Sequence, residues 1–110
     1  MSEQDQTRLQ DHVDSIANKL TEGFGDELNY DDEPLSAYDY LEDALDIQYI
    51  VNGKGEYLAA RVLVAFGGPN IWVNTQTNTV EGYSWGNKAF ASFNDEIGLD
   101  EVLEELWNCK

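Results

Sequence analysis

Few residues of this 110-residue chain have the type and spacing that metal chemistry requires. The densest carboxylate cluster is Asp31-Asp32-Glu33, which lacks the alternating spacing and the central glycine of a calcium loop. His12 is the one histidine of the chain and stands beside Asp11, with no cysteine near it in sequence, so the pattern does not predict a zinc site. We therefore expect neither a metal ion nor a cofactor.

Motifs for nucleophilic or phosphate chemistry are equally weak. Cys109 is the lone cysteine, and its sequence neighbourhood offers no general base that could activate it. Residues 67–70, Gly-Gly-Pro-Asn, lack the lysine and the helix that follow a phosphate-binding loop. An acid pair for glycoside hydrolysis can be drawn from any two of the 22 carboxylates, so such a match is uninformative. The sequence predicts a protein that is not an enzyme.

Charge is the dominant property of the composition. The chain has 22 acidic and 6 basic residues, a formal net charge of -16 and a pI near 4.1. Binding to nucleic acid requires clustered lysine and arginine, and an anionic membrane surface would repel such a chain. A hydrophobic content of 42% is nevertheless high enough to favour a folded protein over a disordered one.

The chain length and the N-terminal sequence bound the organisation. We expect residues 1–110 to form a single domain. No apolar run approaches the roughly 18 residues that a membrane-spanning helix needs. The N-terminus lacks the basic and apolar regions of a signal peptide, and one cysteine permits no internal disulfide. These features predict a location in the cytoplasm of the host cell.

Apolar periodicity predicts three helices. Leu9, Val13, Ile16 and Leu20 recur at spacings of three and four residues and indicate a helix over residues 4–22. Ser36, with an acidic residue three positions later, is typical of a capping box and predicts a second helix over residues 36–46. A closing helix is expected over residues 98–108. Residues 36–108 would then contain one helix, the sheet and this closing helix.

Between the second and the closing helix, apolar runs separated by turn residues predict β-strands. Strands are expected over residues 47–51, 56–66, 70–75 and 79–85, and residues 88–93 are a further candidate for a short edge strand. The predicted fold is α+β, with an antiparallel four-stranded meander sheet, two N-terminal helices and one C-terminal helix.

Strand alternation assigns side chains to two faces of this sheet. In the long strand Leu58, Ala60, Val62, Val64 and Phe66 share the expected core face. The opposite face is predicted to be aromatic; its candidate interface residues are Tyr57, Arg61, Trp72, Tyr83 and Trp85. Two interpretations stay open for that face. It is covered by the closing helix or loops, or it is an interface with a partner or with a second copy.

Carboxylates concentrate in the first helix, in residues 26–46 and in residues 95–105. Along a helix, acidic residues three or four positions apart lie roughly 6 Å from one another, which is comparable to the phosphate spacing of a nucleic-acid strand. They could imitate a polyanion toward a protein that normally grips DNA or RNA; the alternative is that the charge serves only solubility. The candidate partner-binding residues are Asp31, Asp32, Glu33, Asp39, Glu42, Asp43, Asp46, Glu101, Glu104 and Glu105.

The segment GGPNIWVNTQTNTVEGYSWG, followed by an acidic helix ending LEELWNC, resembles a family of small uncharacterised acidic proteins. These proteins are carried by phages, plasmids and integrative elements. YLEDAL at residues 40–45 and EYL at residues 56–58 fit the same pattern, so the resemblance covers residues 38–109 and leaves the N-terminal helix outside. It implies no catalytic residues. Its genetic setting implies proteins that blunt host defence, such as anti-restriction or anti-CRISPR factors.

Together, charge and resemblance predict an acidic inhibitor that imitates nucleic acid. It would bind a restriction or CRISPR-Cas protein of the host and block that protein's DNA or RNA site. The alternative is a non-enzymatic interaction module that dimerises through the aromatic face.

Overall fold

A computed structural model describes residues 3–109 and places three helices against one face of a five-stranded antiparallel sheet. The strands follow one another as a meander in the order β1-β2-β3-β4-β5. The elements are α1 Glu3–Glu22, α2 Ala37–Glu42, β1 Asp46–Val51, β2 Tyr57–Ala65, β3 Asn70–Asn74, β4 Thr79–Ser84, β5 Asn87–Ser92 and α3 Leu99–Asn108. The predicted α+β class and antiparallel sheet are confirmed; the number of strands and the helix arrangement differ from the prediction.

Helix α1 lies across β4 and β5 and buries its apolar stripe there. Leu9, Val13 and Leu20 are at most 3% exposed. The backbone of β4 approaches this helix closely at Gly82, where an added Cβ would come within 2.7 Å of Cγ1 of Val13. The helix ends at Glu22 and is followed by Gly23, whose positive φ of 87° suits a residue without Cβ.

Helix α2 begins with the predicted capping box but ends early. The Ser36 hydroxyl accepts a hydrogen bond from the backbone N–H of Asp39, and the Asp39 carboxylate accepts one from the backbone N–H of Ser36. The prediction that this helix continues to Asp46 is wrong, because Glu42 is its last residue. The N–H of Leu45 already donates to the carbonyl of Leu63, so sheet pairing replaces the helical hydrogen bonds from there onward.

Helix α3 packs over β2 and contacts α2. The Asp95 carboxylate accepts hydrogen bonds from the N–H groups of Leu99 and Asp100, at 2.7 and 2.9 Å, and so satisfies two donors that a helix start leaves free. Leu99 and Leu103 are fully buried, and the indole N–H of Trp107 donates to the carbonyl of Gly55. This helix closes the core over the β1–β2 half of the sheet.

The sheet has five strands, so the prediction of four is wrong. Residues 87–92 pair with β4 along their whole length, from Ser84 opposite Asn87 to Thr79 opposite Ser92. The sequence NKAFAS has no β-branched residue, and its strand signal is therefore weak. Packing against α1 stabilises this edge strand, and the side chains of Gln6 and Gln10 donate hydrogen bonds to its carbonyls.

Two β-bulges shift the alternation of the long strand β2. One lies opposite Ile50 and Val51, the other between Leu63 and Ala65. A bulge adds one unpaired residue, so side chains on its two sides change faces relative to simple alternation. The predicted core positions of Leu58 and Phe66 are therefore wrong: Leu58 is 56% exposed, and Phe66 is 74% exposed and lies beyond the strand.

Candidate functional site

The carboxylates are segregated to the helical side of the molecule. Every aspartate and glutamate except Asp46, Glu56 and Glu81 belongs to a helix, to a helix cap, or to loops 23–36 and 93–98. The helices form one layer on one face of the sheet. Negative charge therefore concentrates on the outer surface of this layer, and the opposite face of the sheet is nearly free of it.

Helices α2 and α3 contact each other, so the predicted acidic residues of one helix lie beside those of the other. The hydroxyl of Tyr38 on α2 donates a hydrogen bond to Oε2 of Glu105 on α3. This bond to a carboxylate is the main cause that raises the pKa of Tyr38. Glu42 and Asp43 at the end of α2 are exposed, as are Glu101 and Glu104 on α3. The acidic residues of the two helices thus belong to adjoining surfaces.

The acidic loop before α2 is held in place by Asn29. Its side-chain oxygen accepts hydrogen bonds from the N–H groups of Asp31 and Glu33, at 2.9 and 3.1 Å, and its side-chain amide points to the Asp39 carboxylate. Asp32 has a positive φ of 60°, which an aspartate tolerates better than most residues. The loop therefore displays its three carboxylates next to α2.

The loop and α2 enclose a shallow hollow of about 180 Å³. Leu28 is 56% exposed there and Tyr30 is fully exposed, so an apolar contact is available among the acidic groups. The hollow is lined by Leu28, Asn29, Tyr30, Leu35, Asp39, Glu42 and Asp43.

Two of the ten predicted partner-binding residues are set apart from the others: Asp39 caps a helix, and Asp46 lies on a strand. Asp39 accepts hydrogen bonds from both the N–H and the hydroxyl of Ser36, at 2.8 and 2.9 Å, and the backbone bond is the main cause that lowers its pKa. Asp46 is the first residue of β1 and pairs with Leu63. Eight exposed residues remain, which we call the acidic set: Asp31, Asp32, Glu33, Glu42, Asp43, Glu101, Glu104 and Glu105.

Cations do not neutralise the acidic set within the described side chains, residues 6–109. Two ion pairs occur there, between Lys19 and Glu27 at 2.8 Å and between Arg61 and Glu81 at 2.9 Å. Neither includes a member of the acidic set. The layer consequently keeps a strong negative potential, which opposes close packing of the carboxylates and attracts a cationic surface.

The other face of the sheet carries a compact polar and aromatic cluster. The guanidinium carbon of Arg61 lies 4.4 Å from the centroid of the Trp72 ring, and its Nη2 donates to Oε1 of Glu81. Glu81 also accepts hydrogen bonds from the Asn74 amide and the Tyr83 hydroxyl, at 2.9 and 3.2 Å. Burial, with Glu81 as the second cause, raises the pKa of Tyr83. The one carboxylate at the centre of this face is thus compensated locally.

Three of the five predicted aromatic-face residues, Arg61, Trp72 and Tyr83, come together as predicted. Tyr57 lies instead on the helical side, because the first bulge turns it toward α3, where it contacts Asp100. Trp85 occupies the β4–β5 turn, with a positive φ of 50° and 80% of its surface exposed.

The sequence interpretation missed Phe90 as a member of this face, whereas Leu63 lies on it as expected from strand alternation. By register, Leu63 lies opposite Trp72 and Phe90 lies opposite Glu81, and the Phe90 ring meets Tyr83 edge-on. Assigning residues 88–93 to a fifth strand would have placed Phe90 here by alternation. We call Arg61, Leu63, Trp72, Glu81, Tyr83 and Phe90 the open sheet face.

Within the described residues, three or more potential metal ligands do not gather anywhere in a geometry that could hold an ion. His12 and Cys109 are both exposed. The helices of residues 3–109 are too short or too polar to cross a membrane.

Comparison with known proteins finds no matching family profile, no matching curated protein and no matching solved structure. The class of the protein is therefore defined by its own architecture, a two-layer α+β meander with an anionic helical layer.

Proposed function

We propose that this protein is a non-enzymatic inhibitor that binds a nucleic-acid-handling defence protein of the host. The defence protein would be of the restriction or CRISPR-Cas type, in keeping with the mobile-element family that residues 38–109 resemble. The acidic set would occupy the cationic surface on which the defence protein binds DNA or RNA. The observation that carries this proposal is the segregation of unneutralised carboxylates on one layer of the molecule.

Electrostatics support such a partner over others. Nucleic acid and anionic lipid carry the same sign of charge as this chain, and the repulsion disfavours them as direct partners. A protein that neutralises phosphates presents clustered lysine and arginine, the chemistry that complements the acidic set. Association would be accelerated by long-range attraction and weakened by salt. Because such defence proteins act in the cytoplasm, the inhibitor is proposed to act there.

The alternative is that the acidity only hydrates the protein. Charge that serves solubility has no reason to avoid one face, because every exposed surface benefits from hydration. Here the open sheet face holds a single carboxylate at its centre, and that carboxylate is paired with Arg61. The uneven distribution therefore favours a binding role.

Two variants with equal net charge separate these functions. The site variant combines Glu42→Gln, Asp43→Asn, Glu101→Gln and Glu104→Gln, all in the acidic set. The control variant combines Glu22→Gln, Asp26→Asn, Glu56→Gln and Glu96→Gln, which are exposed and lie outside it. Each variant loses four negative charges. Asp39 stays intact in both, because its carboxylate caps α2.

Each protein is immobilised, exposed to host lysate, washed at rising salt and then eluted with duplex DNA or RNA. We expect the wild type and the control variant to retain a nucleic-acid-binding protein that the nucleic acid displaces, and the site variant to lose it. Equal retention by both variants contradicts the proposal. So does a captured protein that nucleic acid does not displace.

A further inference from the structure

We propose that two copies of this chain associate through their open sheet faces, sheet against sheet, with the acidic helical layers facing outward. This interface is independent of the proposed inhibitor function and would exist even if the carboxylates served hydration alone.

The open sheet face is an uncovered surface of aromatic and polar residues on strands β2 to β5. All three helices pack on the other side of the sheet, so within residues 3–109 no helix covers Trp72 or Tyr83. Phe90 on β5 is 50% exposed, whereas Leu63 on β2 is 8% exposed. Uncovered surfaces that combine aromatic residues with an arginine are typical of association sites.

The distribution of charge favours a second copy of this chain as the partner that covers the open sheet face. Each chain carries a formal net charge of -16, and contact between two helical layers would bring unpaired carboxylates together. The open sheet face is the surface on which two such chains can meet, since its central carboxylate, Glu81, is already paired with Arg61. Its aromatic residues and arginine are the types enriched at interface centres.

The remaining charges at the margins of this face are self-complementary. Asp46 pairs with Leu63 at one edge of the sheet, and Lys88 pairs with Tyr83 at the other edge, so both share the open face by register. Both are exposed and lie toward the same end of the strands, where β1 begins and where the β4–β5 turn is located. A two-fold axis along the strands stacks the β1 edge of one copy on the β5 edge of the other. Asp46 of each copy then faces Lys88 of the other copy, so this contact between opposite charges forms twice.

The dimensions of the molecule keep the acidic layers apart in such a dimer. One chain measures 44 × 40 × 23 Å, and its short dimension fits two packed layers. With packed layers roughly 10 Å apart, the helical layers of two copies would lie roughly 30 Å from each other. That separation is several times the Debye length of roughly 8 Å at physiological ionic strength. Salt therefore screens most of the repulsion between them.

The first test is the mass of the full chain in solution as a function of concentration, by sedimentation equilibrium. We expect a mass of about twice 12.4 kDa for the wild type at high concentration. Phe90→Glu places a charge within the interface, on the edge strand β5, and should weaken dimerisation at least tenfold. Tyr30→Glu adds the same charge at a fully exposed position outside the face and should leave it unchanged. Circular dichroism verifies that each variant is folded.

A charge swap provides the second test and relies only on exposed side chains. Asp46→Lys and Lys88→Asp should each weaken dimerisation severalfold, because each creates two like-charge contacts. The double variant should restore most of the wild-type affinity. A wild type that is monomeric at every concentration overturns the proposal, even if a different protein covers this face. A dimer unaffected by Phe90→Glu, or a double variant weaker than both single variants, overturns it as well.

Discussion

The hydroxyl of Tyr57 on β2 lies 2.7 Å from Oδ1 of Asp100 on α3 and donates a hydrogen bond to it. The bond links the sheet to the closing helix at the edge of the core. It exists because the bulge opposite Ile50 and Val51 turns Tyr57 toward the helical side. The same contact makes Asp100 part of the scaffold of the acidic layer.

Replacing Tyr57 with phenylalanine tests this link. The change leaves the carboxylate of Asp100 without its phenolic donor, and hydrogen bonds to charged groups contribute roughly 1.5–3 kcal/mol. Because Asp100 stays partly accessible to water, we expect a loss near the lower end of that range, measured as the free energy of unfolding in urea. Tyr30→Phe, at a fully exposed position, is the control and should change nothing. Equal stabilities for the two variants would contradict the role of this bond.

Alkaline pH should destabilise the fold through its partly buried tyrosines. Burial raises the pKa of Tyr40 from 10.0 to about 12, and burial together with Asp100 raises the pKa of Tyr57 further. The folded state favours the protonated phenol, so this contribution is complete below pH 10 and is lost as pH rises toward the folded-state pKa. We expect the urea midpoint to fall above pH 10, and to fall less steeply in Tyr40→Phe. An identical pH profile for the variant would contradict this assignment.

The capping box of α2 predicts that replacing Ser36 lowers the stability of the protein. Ser36→Ala removes the hydroxyl that accepts the N–H of Asp39 and should lower the free energy of unfolding by about 1 kcal/mol. The lowered pKa of Asp39 adds a pH dependence: its contribution is present above pH 3.8 and is lost as pH falls through the folded-state pKa. Ser15→Ala, on the exposed surface of α1, is the control. A cap variant as stable as this control would refute the capping role.

Gly82 determines how closely α1 approaches the sheet. A Cβ at this position would come within 2.7 Å of Cγ1 of Val13 and 2.9 Å of Cδ1 of Leu9, both on buried side chains. Gly82→Ala should therefore destabilise the protein by roughly 1–3 kcal/mol through overpacking. Gly53→Ala, where nothing lies within 4 Å of the added carbon, should have little effect. A neutral Gly82→Ala would show that α1 can shift away without cost.

Much of the fold is visible in the sequence because local patterns agree with it. The stripe of Leu9, Val13 and Leu20 located α1, and the alternation around Ile71 and Val73 located β3. The predictions that were wrong concerned features that depend on contacts between residues distant in sequence. Strand β5 owes its stability to α1, and α2 stops because the backbone N–H of Leu45 donates to the carbonyl of Leu63. The bulges in β2 leave no trace in the pattern of apolar residues, so Leu58 and Phe66 were assigned to the core.

The acidic surface was predictable in composition but not in detail. Carboxylates could be assigned to helices and loops from their positions in the chain. The contact between Tyr38 and Glu105, which joins α2 to α3, is a tertiary feature with no local signal. Asp39 was recognised as a capping residue and also counted as a partner-binding one. The structure shows its carboxylate accepting hydrogen bonds from Ser36, which ties it to the helix start.

The most direct test of the central claim is the salt dependence of affinity for the captured defence protein. Each ion pair that forms on binding steepens the fall of affinity with salt, as it does for phosphate contacts in nucleic-acid complexes. We predict that the site variant, with four members of the acidic set neutralised, shows a markedly shallower slope of log affinity against log salt. The control variant of equal net charge should keep the wild-type slope. Equal slopes for the two variants would contradict the claim that the acidic set occupies the nucleic-acid-binding surface of the defence protein.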